Sequence, residues 1–318
     1  MTRLIKALED LKSKDYKIRD LKQLSGGINS AVFKVEDNNK NYFALKLYPE
    51  PTSHDPRNRC LTEINFFRYL QFCEIKTTPL LVQSNPQDSW ALMSWIEGKR
   101  PATLQIDDLE KIAEFICAIN DKSTQSARSE LLPASEACES IVDLIACIDR
   151  RIKRLKSTIP ESNVEQKALQ WITKIIEPCF KSASQTLLDK QSNCSHWKDI
   201  AMHKIASPSD MGIHNILKNE KGLYFLDFEY AGLDDLSKLA ADWILQPEYL
   251  FTKEQEEVFS SLLLSKMISA IGNSWRARLD DIKPLIRIKW SLIMLNRLQT
   301  HNLSEQQFDK SMTYLERQ

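Results

Sequence analysis

The chain has 318 residues, and its 43 basic residues balance its 43 acidic residues, so the formal net charge is zero. This length can hold two lobes with separate cores, and the lack of a basic excess argues against general nucleic-acid binding. Hydrophobic residues make up 42% of the chain, but no run of about 18 apolar residues predicts a membrane-spanning helix.

The N-terminal segment and the cysteines favour a cytoplasmic protein. Residues 2–12 combine acidic and apolar side chains at helical spacing, which predicts an amphipathic helix and not a signal peptide. The seven cysteines are scattered along the chain and form no Cys-x-x-Cys motif. We therefore expect them to be reduced thiols.

A meander of three strands is predicted next, over residues 18–24, 31–35 and 42–48. Gly26 and Gly27 lie in the first connecting turn, which ends at Ser30. Such a turn can present backbone N–H groups to a phosphate. On its own, however, a plain glycine hairpin is the more common structure.

Lys46 favours the phosphate-binding interpretation of that turn. It follows Phe-Ala-Leu in the third strand, as the strand lysine of kinases follows Val-Ala-Ile. A lysine between large apolar residues needs a charged partner, and Glu63, on a helix predicted over residues 57–73, is the natural candidate. The alternative for Glu63 is a solvated position on the surface of that helix.

Two further strands and a linker complete a small lobe. The strands are predicted over residues 79–82 and 90–93, and residues 94–98 then leave the sheet. In a kinase-like fold the backbone of this linker binds adenine, which makes Ser94 and Ile96 candidate nucleotide contacts. We expect this lobe of five strands and one helix to comprise residues 1–97.

Residues 98–318 are predicted to form a larger, mainly helical lobe, which makes the fold class α+β. Residues 183–200 are polar and are interpreted as a helix end followed by a loop. Asp234 and Asp235 precede an amphipathic helix, and one of them should cap it. Further helices are predicted from about residue 104 and over residues 134–157, 162–181, 253–271, 275–299 and 304–316.

Residues 207–232 carry the strongest functional pattern. They read as loop, strand, tight turn, strand and loop, with Asn215 five residues after Asp210 and with Asp227 after the second strand. This is the layout of a kinase catalytic loop and its metal-binding turn. Taken one at a time, Asp210 could cap a turn, Asn215 could form an Asx turn and Asp227 could end a strand. Their occurrence together at kinase spacing, with Lys46 upstream, favours a catalytic site.

In these features the chain resembles the aminoglycoside phosphotransferase and choline kinase-like family of small-molecule kinases, which have a protein-kinase-like bilobal fold. The resemblance covers most of the chain. It is strongest in Asp-Met-Gly-Ile-His-Asn-Ile-Leu, which begins at Asp210, and in Leu-Asp-Phe-Glu-Tyr-Ala-Gly, which ends at Gly232. It implies an enzyme that uses ATP and Mg²⁺ to phosphorylate a hydroxyl group of a small molecule.

The resemblance also implies roles for individual residues. Asp210 would be the catalytic base for the acceptor hydroxyl, and Asn215 and Asp227 would hold Mg²⁺. Lys46, oriented by Glu63, would bind the α- and β-phosphates. The other candidate nucleotide contacts are Gly26, Gly27, Ser30, Ser94 and Ile96.

Several positions depart from the family pattern or have more than one interpretation. The glycine turn is not Gly-x-Gly-x-x-Gly, and Pro208 stands where family members usually have a supporting histidine. Glu229 replaces the glycine of protein kinases, and either a metal contact or a structural hydrogen bond would account for it. His214 could touch phosphate or acceptor, or it could stabilise its loop by a hydrogen bond.

The acceptor is predicted only as a class: an amino sugar, another sugar or an amino alcohol such as choline. Asp234, Asp235 and Asp242 could attract a cationic acceptor, although a solvated helix face explains Asp242 equally well. Aromatic side chains could surround a quaternary amine or could pack in the core; the candidates are Trp243, Tyr249 and Trp290.

Two functional hypotheses are compatible with these residues. The first is a small-molecule kinase, and the second is a non-catalytic nucleotide-binding member of the same fold that acts as a regulator. Because Lys46, Asp210, Asn215 and Asp227 are all present, the enzyme is favoured. A protein kinase is disfavoured, since no Ala-Pro-Glu motif follows Asp227. We expect a monomer or a homodimer without nucleic-acid or membrane partners.

Overall fold

A computed structural model describes residues 2–24, 30–53, 55–193, 204–271 and 274–316. The α-helices are α1 (Thr2–Ser13), α2 (Arg59–Phe72), α3 (Ile106–Ala118), α4 (Gln125–Arg128), α5 (Ile141–Lys156), α6 (Asn163–Trp171), α7 (Glu177–Asn193), α8 (Leu236–Ile244), α9 (Lys253–Ile271), α10 (Ser274–Met294) and α11 (Glu305–Glu316). The strands are β1 (Ile18–Gln23), β2 (Ala31–Asp37), β3 (Tyr42–Leu47), β4 (Leu81–Asn85), β5 (Trp90–Ser94), β6 (Lys204–Ser207), β7 (Ile216–Asn219), β8 (Gly222–Phe225) and β9 (Gly232–Asp235).

The chain divides into two compact units. The first unit comprises Met1–Ser135 and Ala206–Leu233, and the second comprises Glu136–Ile205 and Asp234–Gln318. The hairpin that carries the kinase-like pattern therefore belongs to the same unit as the N-terminal sheet. The lobe boundary between residues 97 and 98 stays a prediction.

The first unit contains the predicted five-stranded antiparallel sheet, in the order β1-β2-β3-β5-β4. Helix α1 packs on one face of this sheet. Phe33, Leu45 and Trp90 of the strands join Ala7 and Leu11 of the helix in one buried cluster. Since side chains alternate along a strand, the neighbours of these residues point to the other face. Lys46 lies on that other face, between Leu45 and Leu47.

Helix α2 packs on the face of the sheet that carries Lys46. Its Cys60 and Ile64 form a buried cluster with Tyr48 and with Ala91 of β5. The helix begins after Asn58, whose side-chain oxygen accepts a hydrogen bond from the N–H of Leu61 at 3.0 Å. This cap satisfies one of the free N–H groups at the helix start and fixes where α2 begins.

The predicted hairpin is formed by β7 and β8, with Ile216 opposite Phe225 and Asn219 opposite Gly222. Gly222 turns the chain with a φ of 128°, a conformation that glycine adopts without steric cost. Phe225 stacks on Phe115 of α3 with ring centroids 4.2 Å apart. The hairpin is thus anchored to a helix of its own unit.

The second unit is built around α10, which contacts α5, α7, α8 and α11. Helix α8 is capped by Asp235, whose carboxylate accepts a hydrogen bond from the N–H of Ser237 at 2.9 Å, as the sequence predicts for one of the two aspartates. All nine residues of α8 are buried. The solvated face considered for Asp242 is therefore wrong, because that side chain is only 7% exposed.

Two predicted helix boundaries also differ from the structure. Helix α5 begins at Ile141 and not near residue 134, because Ser140 caps it by accepting from the N–H of Asp143. Helix α7 continues to Asn193, where the sequence predicted a helix end and loop from residue 183. Its polar segment stays helical since Phe180, Ser184 and Leu187 form a narrow buried stripe.

Among the helices that the structure describes, none combines the length and the apolar character needed to cross a membrane.

Candidate active site

Lys46 is the centre of a buried charge cluster in the first unit. Its Nζ lies 2.6 Å from Glu63 Oε2, 2.7 Å from Asp227 Oδ1 and 3.3 Å from Glu229 Oε2. The lysine is 4% exposed. Burial by itself would lower its pKa, but the three carboxylates outweigh burial and raise the pKa, so Lys46 stays protonated.

Glu63 connects Lys46 to the turn that follows Asp227. Its second oxygen, Oε1, accepts a hydrogen bond from the N–H of Phe228 at 2.9 Å. The Phe228 ring packs against Phe66 and Phe67 of α2, with centroids 5.2 and 5.3 Å away. The predicted pairing of Lys46 with Glu63 is present, and the solvated alternative for Glu63 is wrong because this side chain is 1% exposed.

Asp227 has the most accessible carboxylate of the three around Lys46. Its side chain is 40% exposed, compared with 1% for Glu63 and 3% for Glu229. Its φ is 64°, in the left-handed region that Asp tolerates better than most residues. Asp227 therefore has one oxygen on Lys46 and a side chain that solvent can still reach.

The loop around Asp210 is linked by hydrogen bonds to the segment just before Asp227. The side-chain Nδ2 of Asn215 donates to the backbone oxygen of Asp210 at 2.8 Å, and the backbone oxygen of Asn215 accepts from the N–H of Leu226 at 2.9 Å. The Asp210 side chain is 35% exposed, and Nε2 of His214 lies 3.6 Å from its Oδ1. Asn215 thus connects the candidate base to the segment that ends in Asp227.

The oxygen donors at this site fit a hard cation such as Mg²⁺. Because the amide nitrogen of Asn215 is used by Asp210, its Oδ1 is the atom that remains for a metal. Oxygens of Glu63, Asp227 and Glu229 also lie within 4.8 Å of one another, but this cluster already surrounds the ammonium of Lys46. Asp227 and Asn215, by contrast, each have a carboxylate or amide oxygen that is not used by Lys46.

Ser30 ends the turn that is predicted to bind phosphate, and its side chain lies beside Glu229. Its Oγ donates to Oε2 of Glu229 at 2.8 Å. The other turn residues predicted to bind phosphate, Gly26 and Gly27, lie outside the described residues.

The linker after β5 carries the two predicted adenine contacts. Ser94 Oγ accepts from the N–H of Leu80 at 2.9 Å, and the N–H of Trp95 donates to the oxygen of Tyr42 at 3.3 Å. Ile96 follows in a segment without regular secondary structure. Within the described part of the chain, its backbone N–H and C=O pair with no other backbone group.

Sequence reasoning missed Arg59, the first residue of α2. Its Nη1 donates to Oε1 of Glu229 at 2.7 Å, and its Nη2 donates to Oδ2 of Asp55 at 2.7 Å. The signal that could have found it is the spacing, since Arg59 lies one helical turn before Glu63 and thus on the same face of α2.

In the second unit, the carboxylates considered for a cationic acceptor are already paired. Lys238 Nζ lies 2.8 Å from Asp234 Oδ2 and 3.3 Å from Asp242 Oδ2, and Asp242 also pairs with Lys289. Asp235 pairs with Arg278 at 2.6 Å. Among the aromatic candidates, Trp243 is a core residue at 1% exposure, whereas Tyr249 and Trp290 are half-buried.

The first unit thus combines a five-stranded antiparallel sheet, a buried lysine–glutamate pair and a hairpin flanked by Asp210 and Asp227. No family model matches the sequence, and no curated protein sequence matches it either. Solved structures do match.

An ethanolamine kinase of Plasmodium vivax aligns with a TM-score of 0.64 at 17% identity, covering 96% of this chain and 84% of that one. A choline/ethanolamine kinase family protein of Mesorhizobium loti gives a TM-score of 0.63 at 16% identity, covering 99% and 95%. A spectinomycin phosphotransferase bound to ADP and spectinomycin gives 0.63 at 13% identity, covering 98% and 92%. The resemblance that the sequence indicated is thereby confirmed at the level of the fold.

Proposed function

We propose that the protein is a phosphotransferase that moves the γ-phosphate of ATP to a hydroxyl group of a small molecule. The observation that carries this proposal is the hydrogen bond between Asn215 and Leu226, which ties the Asp210 loop to the Asp227 turn. Asp227 in turn contacts Lys46 at 2.7 Å. The residues that we propose as base, metal ligand and phosphate-binding cation are thus connected within one compact unit.

Lys46 would bind the α- and β-phosphates of the nucleotide. Its ammonium is held by Glu63 from α2, so that its position is fixed before nucleotide arrives. Such preorganised positive charge is the main contribution a protein makes to phosphoryl transfer.

Asp227 and Asn215 would hold Mg²⁺. When bound, the ion neutralises negative charge that develops on the phosphate oxygens. The accessibility of the Asp227 carboxylate and the free Oδ1 of Asn215 support this assignment.

Asp210 would orient the acceptor hydroxyl and take its proton. Its carboxylate is partly exposed, and its backbone is fixed by the N–H bond to Pro208 at 2.9 Å and by the amide of Asn215. Its neighbour His214 at 3.6 Å supports the loop-stabilising role over a direct contact with phosphate.

The remaining nucleotide contacts are proposed from the sequence pattern. Gly26, Gly27 and Ser30 would face the phosphates, and Ser94 and Ile96 would lie beside adenine. The unpaired backbone groups of Ile96, counted within the described residues, support hydrogen bonding to the base.

For the acceptor we propose a small molecule with a hydroxyl group: an amino sugar, another sugar or an amino alcohol such as choline. Similar solved structures include choline and ethanolamine kinases and aminoglycoside phosphotransferases, which supports this class. A cytoplasmic location and a monomeric or homodimeric state remain predictions from the sequence.

The test is ATP turnover in Mg²⁺ buffer with a panel of amino alcohols, aminoglycosides and sugars. We expect acceptor-dependent ADP release by the wild type and at least a roughly 100-fold loss in Asp210→Asn, since general-base catalysis contributes about 10²–10⁴-fold. The matched control is Asp309→Asn, an exposed change on α11. If Asp210→Asn turned over as fast as the wild type, Asp210 would not be the catalytic base. Nucleotide binding by the wild type without turnover on any acceptor would favour the regulatory alternative.

A further inference from the structure

Glu229, two residues after the proposed metal ligand Asp227, has both carboxylate oxygens occupied. Oε2 accepts from Ser30 Oγ at 2.8 Å and lies 3.3 Å from Lys46 Nζ. Oε1 accepts from Arg59 Nη1 at 2.7 Å. The side chain is 3% exposed, so a metal could reach Glu229 only by displacing one of these partners.

Arg59, the partner of Glu229 Oε1, is itself held from several directions. Nη1 also donates to the hydroxyl of Tyr230 at 2.5 Å, and the guanidinium carbon lies 4.9 Å from the centre of the Tyr230 ring. Nη2 donates to Asp55 at 2.7 Å. The arginine is 5% exposed, and its planar guanidinium contacts Glu229 and Asp55 through two different nitrogens.

The charges of the cluster balance when Glu229 is assigned to Arg59. Two buried cations, Lys46 and Arg59, face two buried carboxylates, Glu63 and Glu229. Asp227 is the remaining carboxylate around Lys46, and it is also the accessible one. An unpaired buried charge is costly. We therefore expect a metal to bind Asp227, the surplus carboxylate, and Glu229 to stay paired with Arg59.

We propose that Glu229 is a positioning residue and not a metal ligand: with Arg59 as its counter-charge, it holds Ser30 and Lys46 in place for the phosphates of the nucleotide. This role rests on the proposed function. Glu229 lies just after Asp227 and contacts Ser30, at the end of the turn predicted to bind phosphate, and Arg59, at the start of α2. It therefore joins three segments that are far apart in sequence.

The experiment compares Glu229→Gln with Asp227→Asn by calorimetric titration of ATP, once with Mg²⁺ and once with EDTA. For Glu229→Gln we expect affinity to fall about tenfold in both buffers, the loss typical of a charge-assisted hydrogen bond, while the ratio of the two affinities stays as in wild type. For Asp227→Asn we expect that ratio to approach one. If an acceptor has been found, KM for ATP should rise more than kcat falls in Glu229→Gln.

A Mn²⁺ titration followed by electron paramagnetic resonance gives a readout independent of turnover. Glu229→Gln saturated with nucleotide should bind Mn²⁺ as wild type does, and Asp227→Asn should bind it more weakly. Loss of Mn²⁺ binding in Glu229→Gln, or an unchanged affinity for ATP, would overturn the positioning role alone. Absence of nucleotide binding by the wild type would overturn the proposed function as well.

Two further variants guard against a simple folding defect. Ser30→Ala removes only the hydroxyl that Glu229 accepts from, so it should weaken ATP binding in the same direction without affecting Arg59. Arg59→Met combined with Glu229→Gln removes both charges and should unfold at a higher temperature than Arg59→Met alone. If Ser30→Ala binds ATP as wild type does, Glu229 does not act through the phosphate turn.

Discussion

The Nζ of Lys46 on β3 lies 2.6 Å from Oε2 of Glu63 on α2, and both side chains are almost fully buried. Neither charge could be accommodated there alone, because an isolated ion in a protein interior loses its hydration without compensation. The pair therefore fixes the position of α2 against the sheet. It also places the second oxygen of Glu63 on the N–H of Phe228, next to Asp227.

Removing the ammonium of Lys46 should destabilise the fold as well as nucleotide binding. Lys46→Met leaves Glu63 buried without its cation, while Glu229 keeps Arg59, and we expect a loss of about 3–5 kcal/mol in unfolding free energy. Denaturant titration measures this loss. Lys46→Met with Glu63→Gln should recover part of it, and strictly additive effects of the two changes would contradict the pairing.

Removing metal should not destabilise the protein in the absence of nucleotide. The two buried carboxylates, Glu63 and Glu229, are already paired with Lys46 and Arg59, and the Asp227 side chain is partly exposed to solvent, so EDTA and Mg²⁺ should give unfolding temperatures within about 1 °C of each other. With ATP at about 100 times its Kd, Mg²⁺ should add about 2.7 kcal/mol of stability through binding to the folded state. Differential scanning fluorimetry tests both statements, and a large effect of EDTA without nucleotide would point to a structural metal.

Asp55 should make stability depend on pH in the acidic range. The hydrogen bond from Arg57 lowers the pKa of Asp55 below its ordinary value of 3.8, against the opposing effect of burial and with further help from Arg59. A lowered folded-state pKa contributes stability above about pH 4, and this contribution is lost as the pH falls below that value. Asp55→Asn should therefore be less stable than wild type at pH 7, and the two unfolding curves should converge towards pH 2. A gap that stays constant from pH 7 to pH 2 would show that the ionisation of Asp55 does not stabilise the fold.

The second unit offers a matched comparison of a buried and an exposed ion pair. Lys238, 3% exposed, pairs with Asp234 and Asp242, so Lys238→Met should cost about 3–5 kcal/mol. Lys167 pairs with Glu305 at 3.1 Å, but both side chains are more than half exposed. Lys167→Met should cost less than about 1 kcal/mol, and equal losses in chemical denaturation would contradict the contrast.

The order of elements and the candidate catalytic residues were predictable because they depend on local pattern. Runs rich in apolar residues marked β2 and β3, and the glycine-containing turn marked the β7–β8 hairpin. The spacing of Asp210, Asn215 and Asp227 is likewise a property of one short segment. By contrast, the helical segment of α7 after residue 183 was missed, because a single buried stripe leaves most of its residues polar.

By itself the sequence determined the five-stranded sheet, the helical remainder, and the chain order of Lys46, Glu63, Asp210 and Asp227, since these follow from spacing between near neighbours. Only the tertiary structure decided which charges compensate each other. Glu229 meets Ser30 and Arg59 across separations of 199 and 170 residues, and no local pattern encodes such contacts. A buried carboxylate pairs with the cation that the fold places beside it. Glu229 therefore pairs with Arg59, and the Asp227 carboxylate stays accessible to solvent.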